Sequence, residues 1–209
     1  MTAAPRVSVV MAVRNGEAVL PATLESVLAQ TECDLEFIVI NDGSTDGSGA
    51  LLDQWAVTDQ RLRVFHQENA GLTQALIRGC AAARGEFIAR QDAGDLSLPG
   101  RLQRQVGILC ADPACVAASC HSEFIGPKDE PLYKVGVDEV MLNESLRGSS
   151  GSAIFGPSHH GTVMMRRTAY LAAGDIARHS ILRKTWTCGH DLLNLDTFRS
   201  FRKYCIVPG

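Results

Sequence analysis

The stretch LEFIVINDGSTDGS, residues 35–48, passes from an apolar run into a polar turn. Its first six residues have the length and composition of a strand that is covered on both faces. Gly43 and Gly47 mark the turn, and apolar residues then recur at helical spacing across 51–56. The stretch therefore predicts a strand, a turn and a helix in succession, which is the repeating unit of an α/β fold.

The same alternation continues in both directions along the chain. Strand-like apolar runs occupy residues 7–13, 62–66 and 86–90, and a helical pattern follows each of them. The helical stripes are Leu20, Leu24, Val27 and Leu28; Leu72, Ala75, Leu76, Gly79, Cys80 and Ala83; and Leu102, Val106, Leu109 and Cys110. Pro21 and Pro99 stand where a first helical turn is expected. Four such units predict a doubly wound, mainly parallel sheet whose ligands bind at the carboxyl ends of the strands.

The alternation fails after about residue 115. Residues 115–122 have the composition of a strand, 138–146 that of a short helix, and the Gly-, Ser- and Pro-rich run 147–158 that of a loop. We therefore expect an α/β core over residues 1–126 and an irregular region over 127–209.

Composition and charge exclude several classes of function. The 209 residues carry a formal net charge of −3 and are 45% hydrophobic, so the sequence offers no basic face for nucleic acid. We expect no transmembrane segment, because no apolar run approaches the ~20 residues that a bilayer requires. The start of the chain lacks the pattern of a signal peptide, which predicts a cytoplasmic protein. The seven cysteines include no Cys-x-x-Cys pair and are interpreted as reduced core thiols.

The strand ends indicate the class of ligand. Arg14-Asn15-Gly16 follows the first strand, where a dinucleotide-binding or P-loop protein would carry a glycine-rich phosphate loop. Acidic residues follow the second and fourth strands instead: Asp42, Asp46, Asp92 and Asp95. Carboxylates at one edge of a parallel sheet are suited to a divalent cation that also binds a diphosphate.

Two alternatives to a metal site stay open at this point. Aspartates at strand ends also cap helices and form turns, and we expect this role for Asp46 above all. Residues 42–53 also match five positions of an EF-hand loop. Calcium binding is disfavoured, because a strand rather than a helix enters the loop and Asp53 stands where the bidentate glutamate belongs.

The chain resembles a family 2 glycosyltransferase of the GT-A fold. The resemblance is carried by VSVVMAVRNGE, FIVINDGSTDGS, ARGEFIARQDAGDLSLPGRLQRQ and, less continuously, HHGTVMMRRTAYLAAG. The pairing of NDGSTDGS with a later acidic cluster and Ser-x-Pro-x-Arg-Leu is the specific part. It implies a nucleotide-sugar-binding GT-A core over residues 1–126 and an acceptor-side region over 127–209.

The resemblance also implies roles for individual residues. Ala12, Val13 and Asn15 would line the nucleotide pocket, and Asp42 would hydrogen-bond the base, usually uracil. Asp92 and Asp95 fall on the family's acidic stretch. Asp95 would hold Mn²⁺ or Mg²⁺ together with the nucleotide, with Asp92 beside the ribose or the metal.

Catalytic residues are implied in the second half of the chain. His160 falls where the family often has a histidine near the sugar and the acceptor. Asp191 is the candidate general base, although Gly189 stands at the family's usual position for that base. Within the acidic stretch, Gly94 replaces one of the usual carboxylates.

These residues imply an inverting transfer of a sugar from a nucleotide-sugar donor, a UDP-sugar above all. The acceptor would be a saccharide or a lipid-linked saccharide in surface polysaccharide synthesis, at the cytoplasmic side of the membrane, where the protein could associate peripherally. The alternative is a catalytically impaired or truncated relative that binds the nucleotide without turnover. Gly94, Gly189 and the short tail favour this alternative.

Overall fold

The computed structural model describes residues 4–126, 130–135, 160–172 and 204–207. The chain divides into two compact units, Met1–Gln103 and Arg104–Gly209. The division at residue 126 between a nucleotide-sugar-binding core and an acceptor-side region stays a prediction.

The first unit contains a parallel sheet of four strands. These are β1 (Val7–Val13), β2 (Leu35–Asp42), β3 (Leu62–Gln67) and β4 (Phe87–Arg90), in the order β3-β2-β1-β4. Within this set, β1 pairs in parallel with β2 and β4, and β2 pairs in parallel with β3. All four predicted strands are confirmed. Every residue of β1, β2 and β4 is buried, as expected for strands that are covered on both faces.

Helices connect these strands. They are α1 (Leu20–Leu28), α2 (Ser48–Thr58) and α3 (Leu72–Ala81), and α4 (Arg101–Ala111) follows β4 and contains the boundary between the units. Pro21 lies in the first turn of α1 as expected. Pro99 does not lie in α4, because Gly100 adopts a φ of +75° and delays the start of the helix to Arg101.

The predicted apolar faces are mostly buried. All four apolar residues of the α1 stripe are buried, as are the central residues of the α3 stripe. Two expectations at stripe ends were wrong, because Leu72 and Cys110 are exposed. The close approach of α3 to β1 depends on Gly79, where an added Cβ would lie 2.6 Å from Val10 Cγ1.

A buried carboxylate fastens the amino ends of the strands, opposite the predicted ligand edge. Glu36 is 2% exposed and accepts hydrogen bonds from Ser8 Oγ at 2.7 Å and from the Arg84 backbone N–H at 2.8 Å. Its second oxygen accepts from Arg63 Nη1 at 2.5 Å and Arg84 Nε at 2.9 Å. Burial raises the pKa of Glu36, but the hydrogen bonds from Ser8, Arg84 and Arg63 outweigh it and leave the pKa below its ordinary value.

The second unit contains shorter elements. Its strand β5 (Ala117–Cys120) pairs antiparallel with β8 (Met164–Arg166) and parallel with β9 (Tyr204–Val207). A hairpin joins β6 (Ser122–Ile125) to β7 (Pro131–Val135), and α5 (Arg167–Ala172) follows β8. The strand predicted over 115–122 is therefore present as β5, whereas the helix expected over 138–146 and the loop over 147–158 lie outside the described residues.

Two side chains hold a short 3₁₀ turn, His160–Thr162, against β5 and α4 within this unit. Gln105 Nε2 donates to the Thr162 carbonyl at 2.7 Å, and the hydroxyls of Ser119 and Thr162 are 2.6 Å apart. Among the helices in the described ranges, none combines the length and the apolar character needed to cross a bilayer.

Candidate functional site

The carboxyl ends of β1, β2 and β4 lie at one edge of the first unit's sheet. Val13, the last residue of β1, is in register with Asn41 of β2. Arg90, the last residue of β4, is in register with Val10, so the acidic loop after β4 starts beside the second half of β1. The predicted residues Ala12, Val13, Asn15, Asp42, Asp92 and Asp95 all lie on these three strand ends or directly after them.

Asp42 ends β2 and is only 4% exposed. Its Oδ1 accepts from Gln67 Nε2 at 2.6 Å and from the Ala70 N–H at 2.8 Å, and its Oδ2 accepts from the Gly71 N–H at 2.9 Å. A carboxylate has about four acceptor positions. Asp42 thus uses three of them, one for Gln67 at the end of β3 and two for the loop before α3, and Oδ2 retains a direction in which it can accept from a ligand.

Asn15 joins the loops that follow β1 and β2. Its φ of +54° is left-handed, a conformation that asparagine tolerates better than most residues. Its backbone N–H donates to Ser44 Oγ at 3.0 Å, and its Oδ1 accepts from the Thr45 N–H at 2.8 Å. The side chain that was predicted to line a nucleotide pocket therefore also sets the spacing of the two loops around it.

Asp46 caps the following helix, as expected. Its Oδ1 accepts from the Ser48 N–H at 3.0 Å and its Oδ2 from the Glu17 N–H at 3.1 Å. Hydrogen bonding to Ser48 lowers the pKa of Asp46 below its ordinary value. The Glu17 carboxylate accepts in return from the Gly47 N–H at 2.8 Å. This exchange provides a second connection between the two loops.

Asp92 is ion-paired with Arg90, whose side chain is 1% exposed. Burial lowers the pKa of Arg90, and the negative charge of Asp92 opposes that shift. Asp95 lies three residues further along and is exposed. Between them, Gly94 adopts a φ of +97°, and its N–H donates to Thr23 Oγ1 of α1 at 3.0 Å.

Sequence reasoning missed Gln91, which organises the acidic loop. Its Nε2 donates to the Asp95 carbonyl at 2.9 Å, and its Oε1 accepts from Ser97 Oγ at 2.8 Å and Arg101 Nη1 at 2.7 Å. Arg101 Nη2 also donates to the Arg90 carbonyl at 2.7 Å. The Ser-x-Pro-x-Arg-Leu signature was a signal for this arrangement, since its serine and arginine are the side chains that bind Gln91.

The acidic loop after β4 contains two candidate ligands for a divalent cation. Among the described residues, no group of three or more histidine, cysteine or acidic side chains could hold a metal ion. Asp92 and Asp95 supply two carboxylates, and Arg90 partly neutralises Asp92. Mg²⁺-type ions bind in this way when phosphate oxygens and water complete their coordination.

The alternative EF-hand interpretation gains no support. The segment that enters the loop is β2, as the sequence predicted. Asp46 caps α2, while Asp53 Oδ1 lies 2.9 Å from His66 Nε2. Arg78 of α3 donates to the His66 carbonyl and to Gln67 Oε1.

The catalytic candidates of the second half are only partly described. His160 begins the 3₁₀ turn before β8, and its side chain lies outside the described residues. Asp191 and Gly189 also lie outside them. Their roles stay predictions.

Comparison with known proteins decides the family. The model of glycosyl transferase family 2 matches residues 8–171. The chain belongs to this family. Putative glycosyltransferase EpsE of Bacillus subtilis is 33% identical over 172 residues, which cover 81% of this chain and 59% of that protein. Putative glycosyltransferase EpsH of the same organism is 38% identical over 120 residues, covering 57% of this chain and 35% of that protein. The chain thus spans about half the length, or less, of such relatives.

Solved structures support the GT-A fold of this family 2 chain. The mannosyltransferase PcManGT from Pyrobaculum calidifontis, in complex with GDP-Man and Mn²⁺, is 24% identical with a TM-score of 0.61, over 83% of this chain and 48% of that one. Residues 1–349 of S. aureus TarS, in complex with UDP-GlcNAc, are 15% identical with a TM-score of 0.66, over 97% of this chain and 56% of that one. The predicted fold class is therefore confirmed.

Proposed function

We propose that the chain binds a nucleotide-sugar donor, most simply a UDP-sugar, at the carboxyl edge of its parallel sheet and transfers the sugar to an acceptor hydroxyl. One observation carries the proposal. In a family 2 chain, β1, β2 and β4 bring Asn15, Asp42, Asp92 and Asp95 to a single edge.

Asp42 is the proposed contact to the base. Its buried carboxylate is held in place by the loop before α3 and keeps one acceptor direction on Oδ2. A uracil N–H matches that acceptor, and a hydrogen bond to a charged oxygen is stronger than one to a neutral group. Asn15, with Ala12 and Val13 at the end of β1, would form the floor beside it.

Asp95 is the proposed metal ligand, with Asp92 beside the ribose or the same ion. Asp95 is exposed, and its backbone carbonyl accepts from Gln91, which holds the loop that carries the carboxylate. Bound Mn²⁺ or Mg²⁺ would neutralise charge on the departing diphosphate. The Mn²⁺ complex of PcManGT supports this choice of ion.

The transfer itself is proposed to invert the anomeric carbon. The acceptor hydroxyl attacks from the face opposite the diphosphate, and a general base takes its proton. Asp191 is the proposed base, and His160 the proposed group beside sugar and acceptor. The acceptor is a saccharide or lipid-linked saccharide, and the setting is surface polysaccharide synthesis at the cytoplasmic side of a membrane.

Titration of UDP in the presence of Mn²⁺ tests the donor site. Asp42→Ala should weaken UDP binding by about 1–3 kcal/mol, the range for a hydrogen bond to a charged group. Gln67→Ala separates direct contact from loop support, because it removes a donor to Asp42 while the carboxylate stays. Asp34→Ala, at the opposite edge of the sheet, is the matched control. Unchanged affinity in Asp42→Ala would remove Asp42 from the site.

The metal is tested through its coupling to the nucleotide. Mn²⁺ should raise UDP affinity, and UDP should raise Mn²⁺ affinity by the same factor, because binding linkage is reciprocal. Asp95→Asn should abolish most of this coupling without unfolding the protein, since the side chain is exposed. Equal metal dependence in wild type and Asp95→Asn would show that Asp95 is not the ligand.

A specific observation keeps the second candidate function in view. Gly94 stands where the family usually has a carboxylate, and this weakens the metal site that turnover would need. Incubation with UDP-sugars and Mn²⁺ separates the two candidates. Release of UDP supports the transferase, and binding without release supports the nucleotide-binding relative.

A further inference from the structure

An exposed histidine outside the proposed site connects to it through a chain of hydrogen bonds. His66 lies on β3 in register with Asn41 of β2. Its Nδ1 is 2.9 Å from Asn41 Nδ2, and its Nε2 is 2.9 Å from Asp53 Oδ1 of α2. The His66 side chain is 45% exposed, so solvent protons reach the ring.

The neighbouring turn determines which ring nitrogen of neutral His66 carries the proton. Asn41 Oδ1 accepts from the Ser44 N–H at 3.2 Å, which directs the NH₂ group of Asn41 toward His66. An NH₂ group only donates, so Nδ1 of His66 must accept. The proton of the neutral ring then sits on Nε2, where it is donated to Asp53.

The chain of bonds continues into the proposed nucleotide loop. Ser44, whose N–H is held by Asn41, accepts from the Asn15 N–H through its Oγ at 3.0 Å. Asn15 in turn accepts from the Thr45 N–H. His66 is thus connected through Asn41 and Ser44 to a residue proposed to line the nucleotide pocket.

The amide of Asn41 has little freedom to rearrange. Asn41 is 6% exposed, and a Cβ added at Gly49 of α2 would lie only 3.2 Å from its Nδ2. The charged groups that the described residues place against His66 are Asp53 from α2 and Arg78 from α3, whose guanidinium donates to the His66 carbonyl. On the β2 side, the ring faces the uncharged Asn41.

We propose that His66 is a positioning residue for nucleotide binding: its neutral ring holds Asn41, and through it the Ser44 turn, in the binding-competent arrangement, and protonation of the ring loosens that arrangement. The inference rests on the proposed nucleotide site. It adds a pH dependence of donor binding that originates outside the contact residues.

Protonation has a defined structural cost. A proton on Nδ1 places an N–H against the NH₂ of Asn41, so that two donors face each other. Rotation of the Asn41 amide would restore that bond but would turn the NH₂ toward the Ser44 N–H and break the bond there. In either arrangement one hydrogen bond of the chain is lost. Histidine is the side chain whose ordinary charge change falls between pH 5 and 8.

Two substitutions separate the functions of the two ring nitrogens. His66→Asn places an amide oxygen close to the position of Nδ1, where it accepts from Asn41 and does not titrate. His66→Gln reaches the position of Nε2 and donates to Asp53, but offers no acceptor at the position of Nδ1. Circular dichroism would establish that both variants fold.

Calorimetric titration with UDP and Mn²⁺ at pH 8 and pH 5.5 is the test. At pH 8, His66→Asn should bind like wild type and His66→Gln about three- to tenfold more weakly, the factor that one net hydrogen bond supplies. At pH 5.5, wild type should bind more weakly than His66→Asn, by up to the same factor. Because both proteins are titrated at the same pH, the protonation of UDP affects both affinities equally and does not change their ratio. Equal pH dependence in wild type and His66→Asn, or wild-type affinity in His66→Gln at pH 8, would overturn the proposal.

Nitrogen NMR of the ring provides a readout that needs no nucleotide. At pH 8 the ¹⁵N shifts of His66 should show the proton on Nε2, and a proton on Nδ1 would overturn the inference. If wild type binds no UDP at any pH while the ring carries its proton on Nε2, the proposed function has failed and the effect of His66 on binding falls with it. If UDP binds with no difference between wild type and His66→Asn, only the present inference has failed.

Discussion

Replacement of Glu36 by glutamine tests how the amino edge of the sheet is stabilised. The amide oxygen can keep the place of the oxygen that accepts from Ser8 and the Arg84 backbone. The NH₂ group then takes the place of the oxygen that accepts from Arg63 Nη1 and Arg84 Nε. Donors face donors at that position, so two charge-assisted hydrogen bonds are lost.

The magnitude follows from those two bonds. Each hydrogen bond to a buried charge contributes about 1.5–3 kcal/mol. The side chains of Arg63 and Arg84 are 28% and 58% exposed, so both regain water when the carboxylate is gone. We therefore take the lower end and expect a loss of about 3 kcal/mol in the free energy of unfolding. For a chain of this length, that lowers the melting temperature by about 6–12 °C.

The loss should depend on pH. Because the folded-state pKa of Glu36 is lowered, its contribution is complete above the unfolded-state value of about 4.3 and disappears as pH falls through the folded-state value. The difference in stability between wild type and Glu36→Gln should stay constant from pH 6 to 8 and narrow below about pH 4.

Thermal melts followed by circular dichroism measure this difference. Glu86→Gln is the control, because Glu86 is half exposed and lies 3.9 Å from Arg6, and such a pair contributes less than about 1 kcal/mol. A Glu36→Gln protein that melts within about 2 °C of wild type would refute the reasoning. A difference that persists unchanged to pH 3 would refute its electrostatic part.

Two further predictions concern packing and loop support. Gly79→Ala should destabilise the protein by about 1–3 kcal/mol, because the new Cβ would lie 2.6 Å from Val10 Cγ1. Gly107→Ala in α4 should stabilise the protein by about 0.5–1 kcal/mol, because its Cβ would have no neighbour within 4 Å and alanine favours a helix. Urea denaturation of both variants checks the contrast, and equal effects would contradict it. Arg101→Lys cannot reproduce the guanidinium bonds to Ser97 Oγ and the Arg90 carbonyl, so Mn²⁺ should raise UDP affinity less than in wild type, as measured by titration at fixed metal. Unchanged coupling would show that Arg101 does not support the acidic loop.

The sheet could be predicted from sequence because its signal is local. A run such as Val7–Val13 is apolar except for Ser8, and this pattern is typical of a strand that is buried on both faces. The start of α4 was misplaced by two residues because the left-handed conformation of Gly100 leaves no periodic signal. The predicted apolar faces of α3 and α4 included Leu72 and Cys110, which are exposed. Whether a residue at the end of such a face is covered depends on the neighbouring elements, which the helical spacing does not reveal.

The position of the candidate site could be predicted from the sequence, but the hydrogen bonds that hold its loops together could not. Strand ends place Asp42 and Asn15 at one edge once the sheet is parallel. Their contacts to Gly71 and Thr45 depend on how two loops approach each other, and no spacing in the sequence encodes that. Gln91 illustrates the same limit, because its partners lie in a loop whose path is set by tertiary packing.

The conformation of Gly94 restricts how this site can be altered. An added Cβ would have room, since its nearest neighbours, in Val19, lie 3.9 Å away, but the φ of +97° strains any other residue. Engineering a third carboxylate by Gly94→Asp therefore requires the peptide to rotate, which would disturb the N–H bond to Thr23. A protein engineer who wants a stronger metal site should graft the whole loop between Gln91 and Ser97. The positive φ of Gly94 is a property of the backbone of this loop, so the exchange of single side chains does not remove it.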